Sequence, residues 1–220
     1  ALFCHVPPEH CIGVHDVSNI YRVPLLLNHQ GVTKRLLQRL DLPPRVGEPE
    51  RSLLASWVSL AELVDSLDVV VKIAVVGKYT DLSDAYLSVT KALSHASFAV
   101  ERKLKVLWIE AERLDAESLK GEKALDREAY DKAWASLADA DGILVPGGFG
   151  IRATEGKMAA ARYARTHGKP FFGICLGFQL AVIEFARSVL ELPAAHSTEF
   201  VADTPAPLVI FMPEGSRTQM

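Results

Sequence analysis

The sequence predicts an α/β fold in which helices cover both faces of an open, mostly parallel sheet. From residue 70 onward, short apolar runs alternate four times with segments of helical periodicity. Such an alternation is typical of sheets built from consecutive βα units. The run at 70–76 is nearly continuous and rich in β-branched residues, as expected for a parallel strand buried on both faces.

The predicted elements follow one another at regular intervals along this part of the chain. Gly77 ends the first apolar run and therefore the first strand. Strands are predicted at residues 70–76, 105–109, 142–145 and 170–174, and helices at 85–100, 127–137, 155–166 and 176–190. Open sheets of this kind bind their ligands at the carboxyl ends of the strands, so we expect the functional residues there.

Residues 1–69 do not share this rhythm. We predict a strand at 11–14 and a short helix at 32–40, after which Pro43, Pro44 and Gly47 interrupt the chain. Apolar residues at helical spacing predict a connecting helix over 53–67. The predicted organisation is an incomplete N-terminal piece (1–45), a linker helix (46–69) and an α/β domain (70–220).

Composition narrows the class of protein. The 220 residues include 49% hydrophobic and 23% charged residues with a net charge of −3, an ordinary globular mixture that offers no basic surface for nucleic acid or an anionic membrane. No apolar run reaches the roughly 18–20 residues of a membrane span, and no secretory signal opens the sequence as shown. Three cysteines without framework spacing favour a reducing compartment, so we expect a cytoplasmic protein. We also expect that the sequence, which begins within an element, is an excised piece.

Residues 173–177, Gly-Ile-Cys-Leu-Gly, have the spacing of a nucleophile elbow. In such an elbow a strand turns abruptly into a helix and exposes one side chain, and the flanking glycines are needed because a Cβ would clash in so tight a turn. Cys175 would lie at the N-terminus of the helix, where N–H groups and the helix dipole favour a thiolate. The alternative is a buried structural cysteine with glycines that serve packing alone.

The helix after this turn is predicted to pack through one apolar stripe, with polar residues on the opposite, solvent-facing side. The predicted buried stripe consists of Val182, Phe185, Ala186, Val189 and Leu190, and the predicted solvent face of Glu184, Arg187 and Ser188.

A second glycine-rich turn, residues 146–150, follows the preceding strand with the sequence Pro-Gly-Gly-Phe-Gly. Adjacent glycines let backbone N–H groups approach a ligand closely, and such donors can stabilise the oxyanion of a tetrahedral intermediate. On its own a Gly-Gly pair is usually only a turn, so its interest comes from its place beside the elbow strand. The spacing of a phosphate-binding P-loop is absent.

These motifs together resemble the triad-type, class I glutamine amidotransferase domain of CTP synthases. The resemblance rests on residues 146–150, on 173–181 and on Ser-Thr-Glu-Phe at 197–200, with 76–79 and 84–89 resembling the start of that domain. It implies a flavodoxin-like sheet and a glutaminase that hydrolyses L-glutamine to glutamate and ammonia. In the family, the ammonia serves the ATP-dependent conversion of UTP to CTP.

The resemblance also implies roles for individual residues. Cys175 corresponds to the nucleophile and Gly148 to the oxyanion hole, while Glu199 corresponds to the residue that grips the substrate. A carboxylate is an apt partner for the α-ammonium of glutamine; without the resemblance, Glu199 would be read as a solvated surface group. The implied glutamine-binding residues are Gly147, Gly148, Leu176, Gly177, Phe178, Gln179 and Glu199.

Residues 1–4, 14–17 and 20–24 resemble the tail of the synthetase domain of the same family. By that resemblance His15, Asp16 and Val17 would line an ATP site; the alternative is that they are ordinary residues at a strand end. The resemblance implies no cofactor or metal in the glutaminase domain, with ATP and Mg²⁺ acting in the synthetase domain. It further implies UTP as a substrate, GTP as an effector and a homotetramer.

The family pattern places a His-x-Glu base pair downstream of the nucleophile, and this sequence contains none after Cys175. His196 lies nearest, but its spacing differs, and we interpret it as a surface histidine. We therefore expect that the 220-residue chain is truncated before its base and hydrolyses glutamine poorly. Two alternatives to the glutaminase remain open at this stage: a non-catalytic assembly module of the same family, and a cysteine hydrolase of similar fold that acts on γ-glutamyl amides.

Overall fold

The computed structural model describes residues 3, 5–43, 48–78, 83–120 and 126–212, with no account of the side chains at 48–52 and 83. Several residues named above lie outside these ranges: Ala1, Leu2, Cys4, Pro44, Gly47 and Tyr79. The chain divides into two compact units, Ala1–Val69 with Phe98–Lys103, and Val70–Ser97 with Leu104–Met220. No described helix is both long and apolar enough to cross a membrane.

Among its described residues, the first unit has three α-helices, α1 (Val23–His29), α2 (Val32–Arg39) and α3 (Glu48–Ser66). The helices predicted at 32–40 and 53–67 are confirmed as α2 and α3. The sequence interpretation missed α1, whose Pro24 lies in the first turn. Proline is tolerated there because the N–H that it lacks would have no helical partner.

The strand predicted at 11–14 is wrong. The Gly13 N–H donates to Oε1 of Gln30 at 2.9 Å, and Nε2 of Gln30 donates to the Gly13 carbonyl at 2.7 Å. This amide side chain therefore occupies the backbone groups that a neighbouring strand would otherwise use. His15 and Asp16 follow as exposed residues outside any strand, which also corrects the reading of them as residues at a strand end.

The carboxylate of Asp65, near the end of α3, organises the first unit. It accepts hydrogen bonds from Ser18 Oγ (2.9 Å), Asn19 Nδ2 (2.8 Å) and Arg22 Nη2 (2.6 Å). These bonds, that from Asn19 first, lower the pKa of Asp65 below its usual value. Tyr21 packs between Trp57 and Phe98, with ring centroids 6.4 and 5.5 Å away.

The second unit is built on a four-stranded sheet in the order β2-β1-β3-β4. The strands are β1 (Val70–Gly77), β2 (Lys103–Glu110), β3 (Gly142–Val145) and β4 (Phe171–Gly173); the helices are α4 (Leu87–Ala99), α5 (Arg127–Asp139), α6 (Thr154–Thr166) and α7 (Leu176–Ser188). The β1–β3 and β3–β4 pairs are parallel. The predicted α/β architecture is confirmed, and the predicted elements agree with the observed ones to within a few residues.

Two apolar clusters form the core of this unit. One joins the middle of the sheet to α5 and α6 through residues such as Val76, Val145, Leu137 and Ala160. The other joins α6 to α7 through Met158, Leu176, Leu180 and Ile183. Gly156, in the first turn of α6, packs against the backbone carbonyl of Ala111 and leaves no room for a Cβ.

The predicted faces of α7 are wrong. Glu184, expected in solvent, is 5% exposed, whereas Val182, Phe185, Val189 and Leu190, expected in the core, are 39–57% exposed. Arg165 donates to both oxygens of Glu184, at 2.7 and 3.2 Å, and a bidentate partner of this kind makes a buried carboxylate tolerable. Of the predicted stripe, Ala186 alone is buried.

A small parallel pair, β5 (Ala195–Ser197) and β6 (Ala206–Val209), follows α7. The sequence interpretation did not foresee it. Its importance is positional, because Glu199 lies immediately after β5.

Candidate active site

Cys175 occupies the sharp turn between β4 and α7. Its backbone has φ 51° and ψ −111°, a left-handed conformation that is unfavourable for a residue with a Cβ and that often marks a functional site. The cysteine is a free thiol and is exposed to solvent. The alternative of a buried structural cysteine therefore does not describe this chain.

The two flanking glycines are required by close backbone contacts. A Cβ on Gly173 would lie 2.6 Å from the N atom of Phe178, and one on Gly177 would lie 2.0 Å from the carbonyl oxygen of Val145. Neither backbone atom can move without displacing α7 or β3. The glycine spacing is therefore a packing requirement of the turn that exposes Cys175.

The glycine-rich turn lies directly against the cysteine. Val145 is in register with Gly173, and the Ile174 N–H donates to the Val145 carbonyl at 2.9 Å, so the residues that follow the two strands are neighbours. A Cβ placed on Gly147 would lie 3.3 Å from Cβ of Cys175 and 3.9 Å from its Sγ. Sheet pairing thus brings together two motifs that are far apart in the sequence.

The backbone N–H groups of Gly148 and Leu176 lie at this junction. No hydrogen bond to another described residue engages the N–H of Gly148 or of Leu176, and the latter is among the first N–H groups of a helix, which have no intrahelical acceptor. Leu176 as a whole residue is only 2% exposed, so its N–H is sheltered from bulk solvent. These donors could bind a developing oxyanion beside Cys175.

Lys78, which directly follows β1, anchors the glycine-rich turn. Its Nζ donates to the carbonyls of Phe149 and Gly150 at 2.5 and 3.1 Å, and its backbone N–H donates to the Tyr86 hydroxyl at 3.1 Å. Burial, and then the positive charge of Arg152, lower the pKa of Lys78. These bonds fix the backbone of the turn opposite the cysteine.

The remaining glutamine-site residues fall into different surroundings. Gln179 and Glu199 line one cavity of about 190 Å³, which residues 209–212 also line. Glu199 is exposed, and its N–H donates to Oγ of Ser197 at 3.2 Å. Gly177 is buried against β3, and the Phe178 side chain is 62% exposed, so these two residues contribute the turn itself. The roles assigned to all of them stay predictions.

His196 is half-buried rather than at the surface. The Ser197 N–H donates to its Nδ1 at 2.9 Å, and its ring packs edge-on against Phe200. Burial, together with the nearby Arg187, lowers the pKa of His196. His15, Asp16 and Val17 belong to the first unit, and their nucleotide-binding role stays a prediction. Within the described ranges, no group of three or more potential ligands could hold a metal ion.

Sequence reasoning missed Lys157 in the first turn of α6. It is 1% exposed, and its Nζ makes no hydrogen bond to any described residue. Burial, and then the positive charge of Lys78, lower its pKa to about 8, while Cys175 acts in the opposite direction. A sequence signal existed: Lys157 shares a helical face with Ala160, Ala161 and Ala164, where a charged residue is unexpected.

Comparison with known proteins agrees with this site. Residues 81–205 match the family described as glutamine amidotransferase class-I, which covers more than half of the chain. The chain therefore belongs to the class-I glutamine amidotransferases. Residues 1–42 match the family described as CTP synthase N-terminus, so the similarity is specifically to CTP synthases.

Individual relatives carry the same name. Over its whole length the chain is 50% identical to CTP synthase from Dictyostelium discoideum and 49% identical to human CTP synthase 1, and over 97% of its length it is 53% identical to rat CTP synthase 2. It spans only 40%, 36% and 36% of those proteins. A solved structure of the Trypanosoma brucei CTPS glutaminase domain with bound acivicin is 40% identical, with a TM-score of 0.54 over 65% of this chain and 50% of that one.

Proposed function

We propose that this chain supplies the nucleophile, Cys175, of a glutaminase that hydrolyses L-glutamine to glutamate and ammonia; without a His-x-Glu base, we still expect the 220-residue chain alone to react slowly. The observation that supports the proposal most directly is the exposed thiol in a left-handed turn, with Gly147 packed against its Cβ. The thiol attacks the carboxamide carbon, and the carbonyl oxygen becomes an oxyanion that accepts hydrogen bonds from the N–H groups of Gly148 and Leu176. The C–N bond then breaks, and the thiol proton leaves with the ammonia.

The resulting thioester is hydrolysed in a second step. Water adds to the acyl carbon, the C–S bond breaks, and glutamate is released with the thiol restored. Glu199 would hold the α-ammonium of the substrate, because a carboxylate offers it a charge-assisted hydrogen bond. Glu199 and Gln179 line the same cavity, and this cavity would hold the α-amino end of the substrate.

For the whole protein, we propose that the ammonia aminates UTP in an ATP-dependent reaction that yields CTP, as the names of the relatives suggest. ATP, Mg²⁺ and UTP would act in the synthetase domain of such proteins, to whose tail His15, Asp16 and Val17 would belong. GTP as an effector, a homotetramer and a cytoplasmic location complete the proposal.

The test of glutaminase chemistry is covalent labelling. A glutamine analogue that carries an electrophile in place of the carboxamide should modify Cys175, and glutamine should slow the modification at least tenfold. Cys11, a free and exposed cysteine, provides an internal control whose labelling glutamine should leave unchanged. Peptide-resolved mass spectrometry separates the two sites. Equal protection of both, or none at Cys175, would contradict the proposal, and better protection by γ-glutamyl peptides would favour the alternative hydrolase.

A further inference from the structure

Lys157 carries a charge for which the described structure provides no hydrogen-bond partner. Among the described residues its side chain is the largest that is fully buried, with 1% exposure, and its Nζ donates a hydrogen bond to none of them. An unpaired ammonium is costly to bury, and a methionine or leucine would fill similar space without that cost. The retained charge therefore calls for a functional explanation.

The position of the Lys157 ammonium supplies a functional explanation for the buried charge. The point where a Cβ on Gly148 would lie is 3.8 Å from Nζ of Lys157 and 3.9 Å from Cδ2 of Leu176. The adjacent Gly147 makes the corresponding contact with Cys175. The buried ammonium and the thiol thus line the same two-glycine turn, and the alanine face of α6 gives the lysine stem its path to that turn.

We propose that Lys157 is a positioning residue that supplies the counter-charge for the Cys175 thiolate. In the glutaminase reaction, on whose proposal this role rests, a thiolate held beside a buried ammonium would be ready to attack at neutral pH.

Other charges surround this pair. Lys78, the residue directly after β1, repels the ammonium of Lys157. Lys78 itself feels Arg152, Glu112 and Glu199, of which the two carboxylates attract it. Burial lowers the pKa of Lys157 to about 8, so most molecules still carry the charge at pH 7. Any titration of Cys175 has to be compared between variants that leave these four other groups unchanged.

The experiment measures the rate of iodoacetamide alkylation of Cys175 as a function of pH, resolved by peptide mass spectrometry. In Lys157→Met the midpoint of the profile should rise by about one pH unit, which makes alkylation about tenfold slower at pH values below the midpoint. Lys132→Met, which removes the same charge from the exposed side of α5, should leave the midpoint unchanged, as should Cys11 in every variant. A midpoint in Lys157→Met within a few tenths of the wild-type value overturns the inference.

A second measurement uses the wild-type protein, so it does not require that a variant fold. The ¹³Cε signal of Lys157 is titrated by NMR in the wild-type protein before and after Cys175 is capped with a neutral carboxamidomethyl group. Capping removes the thiolate, so the midpoint for Lys157 should fall, and an unchanged midpoint again overturns the inference. Neither measurement involves glutamine. If the alkylation midpoint of Cys175 depends on Lys157 but glutamine does not protect the thiol, the glutaminase proposal is refuted and the thiolate–ammonium pair is left intact.

Discussion

The ammonium of Lys157 loses its hydration on folding and gains no hydrogen bond from a described residue. Its pKa falls from 10.5 to about 8. Between these two values the unfolded chain binds more protons than the folded one, so stability rises as pH increases from about 8 to about 10.5. Below pH 8 the full cost of burying the charge remains.

This residue gives a prediction about stability. Lys157→Met should increase the free energy of unfolding at pH 7 by up to about 3 kcal/mol, because a shift of one pKa unit corresponds to about 1.4 kcal/mol. The gain should shrink as pH rises toward 10.5. Urea unfolding at pH 7 and pH 10 measures both effects, with Lys132→Met as the control for loss of one positive charge. A variant less stable than the wild type at pH 7 would show that the lysine stem contributes packing that exceeds the desolvation cost.

At the scale of elements, the turn at Cys175 sets the rotation of α7. Gly177 must face β3, since a Cβ there would lie 2.0 Å from the Val145 carbonyl oxygen. One helical turn and two turns later, Leu180 and Glu184 face the same way, and both are buried. A second apolar side of the helix, with Phe178, Val182 and Phe185, is left exposed. Backbone contact at the first turn therefore outweighs the apolar pattern farther along.

Two neighbouring residues of α7 test this rotation. Ile183 is fully buried and Val182 is 39% exposed. Ile183→Ala should cost about 2–4 kcal/mol of unfolding free energy, whereas Val182→Ala should cost less than about 1 kcal/mol. Chemical denaturation of the two variants measures the difference. If Val182→Ala cost more than Ile183→Ala, the buried face of α7 would be the one that the periodicity predicted.

At the scale of the whole molecule, the parallel sheet assembles a site from separate segments. Strand pairing places the turn after β3 against the turn after β4, and Lys78 after β1 holds the first of these turns by two carbonyl bonds. The site is thus located at the carboxyl ends of three adjacent strands, as is usual for open α/β sheets.

The proposed function of the whole protein gives a prediction at this scale. In a full-length protein, Cys175→Ala should abolish CTP formation from UTP, ATP and glutamine but leave CTP formation with added ammonia within about twofold, because the variant removes only the nucleophile that releases ammonia from glutamine. The release of CTP and glutamate measures both reactions, and Cys11→Ala serves as the matched control. Loss of the ammonia-dependent reaction as well would show that Cys175 has another role.

The sequence by itself determined the order of strands and helices in the second unit, and it located the elbow and the glycine-rich turn. Those features depend on local requirements: β-branched runs, helical periodicity, and turns in which Gly173 and Gly177 leave no room for a Cβ. The segment around β5 and the helix α1 gave weaker local signals and were missed.

Tertiary structure alone decided three further features: which face of α7 is buried, that Gln30 binds the backbone of Gly13, and that Lys157 reaches the turn beside Cys175. Each depends on a contact between residues that are distant in the sequence or on different elements, and neither composition nor periodicity records such contacts. In the sequence, Lys157 only interrupts the alanine face of α6, and the tertiary structure shows that its ammonium lies beside Gly148.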